Sequence, residues 1–139
     1  MKQEVYKGGI AVDDRGSVRF VNSFDFKNVK RFYQVENHSL GFIRAWHGHK
    51  NEGKYVYVAK GSALVGFVPL ETDQQPEKVV LSDKSPSVLY IPPGYANGFM
   101  NLVEDTQILF FSTSTLEESL GDDIRFPYDH WNIWDIERR

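Results

Sequence analysis

The stretch Gly41-Phe-Ile-Arg-Ala-Trp-His47-Gly-His49 decides how the rest of the chain is read. Successive side chains of a strand point to opposite faces, so two histidines spaced by two share one face and can both point into a barrel mouth. The same period of two recurs on either side. Runs at 17–22 (after the turn Asp13-Asp14-Arg15-Gly16), 31–36, 41–46, 55–59, 63–70, 78–81, 87–91 and 107–112 are short, alternate in polarity and are rich in Val, Ile, Phe and Tyr. In the run 31–36, Phe32 and its alternates are expected to share one side. Lys60-Gly61 and Pro92-Pro93-Gly94 read as turns, and 71–77 as a polar hairpin loop. Strands of this length at near-regular spacing predict an all-β sandwich or barrel. Residues 115–119 offer a cap and one helical turn at most. With no repeat, linker or low-complexity tract, residues 1–139 are expected to form a single domain.

Composition narrows the class. The chain has 139 residues, a formal net charge of -3 and no cysteine, so disulfide scaffolds, thiolate zinc sites and cysteine nucleophiles are excluded. The absence of thiols fits a reducing compartment, and the expectation is a cytoplasmic protein. A sequence pI of 5.8 lacks the basic excess of a nucleic-acid binder. No apolar run approaches the ~20 residues of a membrane span, and residues 1–10 lack a secretory apolar stretch. Neither nucleic acid nor membrane is therefore expected as a partner. Ten Phe, seven Tyr and three Trp are divided in expectation between a barrel core (Phe20, Phe42, Phe67, Phe99, Phe110, Phe111) and a group beside the site (Trp46, Tyr128, Trp131, Trp134).

Gly41 followed five residues later by His47 and then by His49 resembles the first motif of the cupins, and Ile91-Pro-Pro-Gly94-Tyr-Ala-Asn97-Gly-Phe-Met-Asn101 resembles the second. The resemblance implies a cupin, or jelly-roll, β-barrel. In metal-binding cupins a glutamate follows the His-x-His three or four residues on, and the second motif adds a histidine. Here Glu52 follows His49 after only two residues, out of place for that glutamate, and Asn97 stands where that histidine would be. A neutral amide is a poor ligand for metals that imidazole suits, so no metal site is expected.

Five ordered blocks resemble the dTDP-4-dehydrorhamnose 3,5-epimerase family more closely. They are Asp14-Arg15-Gly16; Gln34-Val-Glu-Asn37-His-Ser39 with Gly41-Phe-Ile-Arg44-Ala-Trp-His47; Gly53-Lys54 through Gly61; Ile91-Pro-Pro-Gly94-Tyr-Ala-Asn97-Gly98-Phe99; and Tyr128-Asp129 before Ile133-Trp134. The resemblance implies an isomerase acting on a nucleoside-diphosphate 4-keto-6-deoxy sugar, with no metal or organic cofactor. His47 would be the general base, Asp129 its orienting carboxylate and Lys54 the cation at the enolate oxygen. Arg44 and Arg15 would grip the diphosphate, Arg15 from the partner subunit of a homodimer with exchanged N-terminal strands. Gln34, Asn37, His49 and Asn97 complete the implied substrate contacts. The residue types suit the chemistry. A ketone at C4 acidifies C3–H and C5–H, and imidazole removes such a proton near neutral pH. An ammonium acts where charge develops, and the planar guanidinium fork matches phosphate oxygens.

One departure bears on the reaction. The family's acid is a tyrosine on a late strand, and the matching position here is Phe110. Either Tyr33, Tyr57 or a water supplies the proton, or only one centre is inverted. A second resemblance, of Arg44-Ala-Trp-His47-Gly-His49-Lys50 to the "R-G-x-H-A-H-K" signature of nucleotide-sugar 3,4-ketoisomerases, leaves migration of the ketone as an alternative. A non-catalytic nucleotide-sugar-binding cupin is a third reading, and a metal-dependent cupin a fourth.

Overall fold

The computed structural model describes residues 2–139. Two five-stranded antiparallel sheets face each other. The first runs in the order β1 (Glu4–Lys7), β9 (Ser87–Ile91), β6 (Lys54–Lys60), β11 (Gln107–Ser112), β4 (Arg31–Val35). The second runs β12 (Ile124–Arg125), β5 (Ile43–His49), β10 (Tyr95–Asn101), β7 (Ser62–Pro69), β8 (Glu77–Ser82). A separate hairpin joins β2 (Gly9–Asp13) to β3 (Gly16–Phe20) and stands apart from both sheets. The one helix, α1 (Leu116–Leu120), is a single turn with a complete capping box between Thr115 and Glu118. Every run read as a strand overlaps one, whereas β1, β2, β10 and β12 lie outside those runs.

The core between the sheets is built by alternation. Val56 and Val58 of β6, Val65 and Phe67 of β7, Leu89 and Ile91 of β9, and Ile108 and Phe110 of β11 point inward and are buried together. A second apolar layer covers the outer face of the second sheet. There Leu64 and Val68 of β7, Ala96 and Met100 of β10, and Trp46 of β5 are buried under Trp134, with Phe126, Trp131 and Ile133 packed around them. Because β7 is covered on both faces it reads as a nearly unbroken apolar run.

The segment after β12 is tied to that outer face. The indole of Trp46 donates to the carbonyls of Tyr128 and Trp131 at 3.1 Å each, and the Trp134 indole donates to Tyr128 at 3.0 Å. None of the four aromatics expected beside the site lines the cavity described below. The expected core phenylalanines also divide: Phe67, Phe99 and Phe110 are buried, whereas Phe20 and Phe42 are 38% and 53% exposed. Phe111 lies on the outer face of the first sheet, edge-on to Phe26 at 5.2 Å.

One irregularity positions a site residue. Along the β5–β10 ladder Asn97 pairs with His47, but Phe99 pairs with Arg44, so β5 carries an extra residue there. Plain alternation puts Arg44 on the face opposite His47; the bulge turns it back to the same side. The close approach needs Gly98, because a Cβ there would collide with the Cβ of Ala45.

Candidate active site

At one end of the barrel the inward-facing side chains stop being apolar and line a cavity of about 220 Å³. The second sheet contributes Arg44, His47 and His49 from β5 and Asn97 and Phe99 from β10. The first sheet contributes Arg31, Tyr33 and Val35 from β4, Lys54 from β6 and Phe110 from β11. Asp123, Arg125 and the end of α1 form the rim. Ladder register explains the arrangement. Arg31, Ser112 and Lys54 lie in one row across β4, β11 and β6, and Tyr33 and Phe110 lie in the next row inward. Their rings stack at 5.0 Å between centroids and 10° between planes. The Arg31 guanidinium lies 5.0 Å from the centroid of the Tyr33 ring.

His47 is half-buried, and its pKa is lowered to about 4, first by burial and then by the charges of Lys54 and Arg125. Asp123 pulls the other way without prevailing. The ring is therefore neutral at pH 7, with a lone pair available to take a proton. Lys54 is buried, which pushes its ammonium downward, while the Glu52 carboxylate opposes that shift. Burial also raises the Tyr33 phenol, followed by the charge of Glu52, so the hydroxyl keeps its proton. Arg44 is held by Asn37, whose Oδ1 accepts from Nε at 2.6 Å, and the Asn37 amide donates to Phe42 O and Asn101 Oδ1 at 3.2 Å each.

His47, His49, Lys54, Arg44 and Asn97 therefore share one cavity, and Asn37 orients Arg44 from behind. Three other expected site residues lie elsewhere. Asp129 is exposed on the segment fastened to the outer face of the second sheet, whereas His47 points inward. The sheet lies between them, and the carboxylate on the His47 side is that of Asp123. Gln34 falls on the outward phase of β4 and donates to Gln107 at 2.6 Å. Arg15 sits at the tip of the β2–β3 hairpin, exposed and paired with Asp13 at 2.6 Å, away from the cavity of its own chain. Sequence reasoning missed Arg31, Asp123 and Arg125. Alternation contained the signal for Arg31, which shares its face with Tyr33 and Val35. Phe32 and its alternates share the other side, as expected, and that side faces outward, with Phe32 68% exposed.

As for the metal that many cupins carry, the donor set does not suit one. Asn97 occupies the second-motif position, His49 Nδ1 is engaged with the Asp122 carbonyl, and Glu52 accepts from Ser112 at 2.5 Å. Among the described residues no three His, Asp or Glu groups converge on one point.

With this geometry in view, the comparisons fall into place. The chain matches the dTDP-4-dehydrorhamnose 3,5-epimerase family over residues 6–134 and belongs to it. It is thus a nucleotide-sugar isomerase by class. Among curated proteins it is 27% identical over 137 residues to the spore coat polysaccharide biosynthesis protein SpsL of Bacillus subtilis (strain 168), covering 91% of each chain. Among solved structures it resembles the dTDP-4-dehydrorhamnose 3,5-epimerase of Bacillus anthracis str. Ames, solved with TDP and PPi bound. There the TM-score is 0.75 at 23% identity, covering 88% of this chain and 77% of that one. It also resembles a 3,4-ketoisomerase from Helicobacter canadensis, with a TM-score of 0.72 at 19% identity, covering 94% and 95%. Among the described residues no helix is long and apolar enough to cross a membrane.

The depressed pKa of His47 makes a prediction about pH. If its neutral form is required, the acid limb of kcat/KM falls near pH 4 and not near the ordinary 6.5. Lys54→Met removes the largest neighbouring charge that lowers it, so the His47 midpoint, followed by NMR, rises. The same shift affects stability. Between pH 6.5 and about 4 the unfolded chain binds a proton here that the folded chain refuses. Stability from this group therefore falls as pH drops through that window.

Proposed function

We propose that the protein epimerises a nucleoside-diphosphate 4-keto-6-deoxy sugar, dTDP-linked, at C3. Inversion at C5 is decided by the experiment below. The observation that carries the reading is that a neutral imidazole, His47, and a protonated phenol, Tyr33, enter one cavity from opposite sheets. Inversion needs this: a base on one face of the sugar and an acid on the other. His47 takes the proton α to the ketone, the electron pair moves onto the C4 oxygen, and the Lys54 ammonium stabilises the enolate. Tyr33 returns a proton to the opposite face. Its ring stacks on Phe110, so the phenol missing from that position is supplied by the neighbouring strand. Arg44 and Arg125 supply charge for the diphosphate, in keeping with the TDP and PPi of the Bacillus anthracis relative.

We take the working unit to be a cytoplasmic homodimer. The β2–β3 hairpin exposes Val12 and Val18 at 75% and 64% and carries Arg15 at its tip. A free hairpin of two strands is marginal alone, and exchange with a second copy covers it while bringing Arg15 to the neighbouring cavity. A second reading, 3,4-ketoisomerisation, has its own support: His49 shares the cavity with His47. Incubation with dTDP-4-keto-6-deoxyglucose in D₂O separates the two. Epimerisation places deuterium at C3, or at C3 and C5, with inversion. Migration of the ketone to C3 replaces this reading by the isomerase. No exchange with this or other nucleotide sugars leaves a non-catalytic binder.

A further inference from the structure

His49 is 6% exposed and lines the cavity beside His47. Its Nδ1 lies 2.5 Å from the backbone carbonyl of Asp122. On the same nitrogen, Glu52 Oε1 stands at 3.5 Å, in a carboxylate that is itself 2% exposed. Both neighbours of Nδ1 are acceptor oxygens. A lone pair on Nδ1 would face two others across short gaps in a buried setting, so this nitrogen carries the hydrogen. In the neutral ring one nitrogen donates and the other accepts, so with the hydrogen on Nδ1 the acceptor is Nε2.

The pieces that enforce this are fixed. The Asp122 carboxylate accepts from the backbone N–H of Lys50 and Asn51 at 2.8 Å each, which locks the end of β5 against the start of β12. Glu52 is held by Ser112, whose hydroxyl donates to Oε2 at 2.5 Å, and by Arg31 at 3.6 Å. Oε1 has no hydrogen-bond partner of its own and is turned toward His49 Nδ1.

Most other groups in the cavity are donors; the His47 lone pair, assigned above to proton removal, and the Tyr33 hydroxyl can also accept. Arg31, Arg44, Lys54 and Arg125 cannot accept a hydrogen bond. Asp123 is an acceptor but is engaged by Arg125 at 3.0 Å. Asn97 offers an amide that can do either. A phosphate oxygen or a ketone is an acceptor and finds partners among the cations, but neither can use a bare imidazole nitrogen. A sugar hydroxyl can, because it donates.

Resting on the reading above, we propose that His49 Nε2 is the group that recognises a ring hydroxyl on or beside the reacting carbon C3, the 3-hydroxyl or the 2-hydroxyl. Glu52 and the Asp122 carbonyl act as positioning groups that set its tautomer. His49 is thus a specificity determinant for hydroxylated against deoxy sugars, distinct from the base His47.

The test has a readout that needs no turnover. In ¹⁵N-labelled protein, long-range ¹H–¹⁵N spectra should assign the hydrogen of His49 to Nδ1 and the lone pair to Nε2. Adding dTDP-glucose, an unreactive sugar bearing both hydroxyls, should shift Nε2, whereas dTDP alone should leave it in place. With 4-keto substrates, removing the recognised hydroxyl (the 2-deoxy or the 3-deoxy analogue) should lower kcat/KM for exchange by roughly 10–100-fold, as for a buried acceptor left unpaired. In His49→Phe that discrimination should vanish while the parent substrate loses a similar factor. An Nε2–H tautomer overturns the proposal. So does an Nε2 signal unmoved by dTDP-glucose, or a His49→Phe protein that still discriminates. Absence of exchange in the wild type, with the Nε2 shift intact, would instead count against the epimerase and leave the hydroxyl contact standing.

Discussion

His47→Asn reduces the incorporation of solvent deuterium into a dTDP-4-keto-6-deoxy sugar by about 10²–10⁴-fold, the usual contribution of a positioned general base. Asparagine keeps the approximate shape and polarity of the ring's first half but cannot take up a proton at neutral pH. The ring is half-buried between Lys54, Arg125 and Asp123, and none of its hydrogen bonds supports the fold. The variant is therefore expected to fold and to bind the nucleotide sugar with near-unchanged affinity, which calorimetry measures. Exchange close to the wild-type rate would remove His47 as the base. In the proposed mechanism the neighbouring cations let a group with a pKa near 4 serve: Lys54 lowers the basicity of the imidazole but would stabilise the enolate formed beside it. The same charge thus acts on both partners of the proton transfer, and its larger effect falls on the intermediate, where the negative charge appears.

Much of this site could be read from the chain, and the reason is local. Two histidines at a spacing of two must share a face of any strand, and the strand period around them is clear in 55–59 and 107–112. Lys54 and Asn97 came from the resemblance to the family's sequence blocks; in the structure Lys54 opens β6 in the sheet opposite β5, and Asn97 lies on β10, paired with His47. What could not be read depended on long-range packing. Arg44 was implied by the resemblance, but strand period alone puts it on the wrong face; it reaches the cavity because a bulge, made possible by Gly98 on the neighbouring β10, changes the phase of β5. Asp129 was expected beside His47 from its place in a sequence block, yet the block is pinned by the indoles of Trp46 and Trp134 to the far side of the sheet. Adjacent residues of a strand point opposite ways, so a segment docked on Trp46 cannot also touch His47. The strand β10 went unread because Asn97, Gly98 and Asn101 have low strand propensity. It is held by pairing on both edges and by burial of nearly its whole length. On β4 one charge, Arg31, shares the inner face with Tyr33 and Val35, which pack against the core, while Phe32 is left exposed outside.

Tyr33→Phe separates proton removal from inversion. The hydroxyl is absent but the ring, stacked on Phe110 and covered by Arg31, stays in place, so stability changes little. His47, on the opposite sheet, is untouched and continues to remove the proton. An enolate formed without an acid on its far face is reprotonated from the near face by the imidazolium, once that has exchanged its proton for a deuteron from solvent. Deuterium then enters with retention, while inversion falls by about 10²–10⁴-fold, again the range for a general acid. The ratio of exchange to inversion, read from one NMR time course, is therefore the diagnostic quantity, and it should rise by at least about a hundredfold. A variant that loses exchange and inversion together would make Tyr33 a substrate contact. One that inverts normally would hand the acid role to Tyr57 or to water. Tyr57 is poorly placed for it: on β6 it alternates with the inward-pointing Val56 and Val58 and so lies on the outer face of the first sheet. Tyr33, by contrast, pairs directly with Phe110 across the ladder. A tyrosine moved by one strand keeps the phenol on the same wall of the cavity, so losing the family's tyrosine need not mean losing the acid.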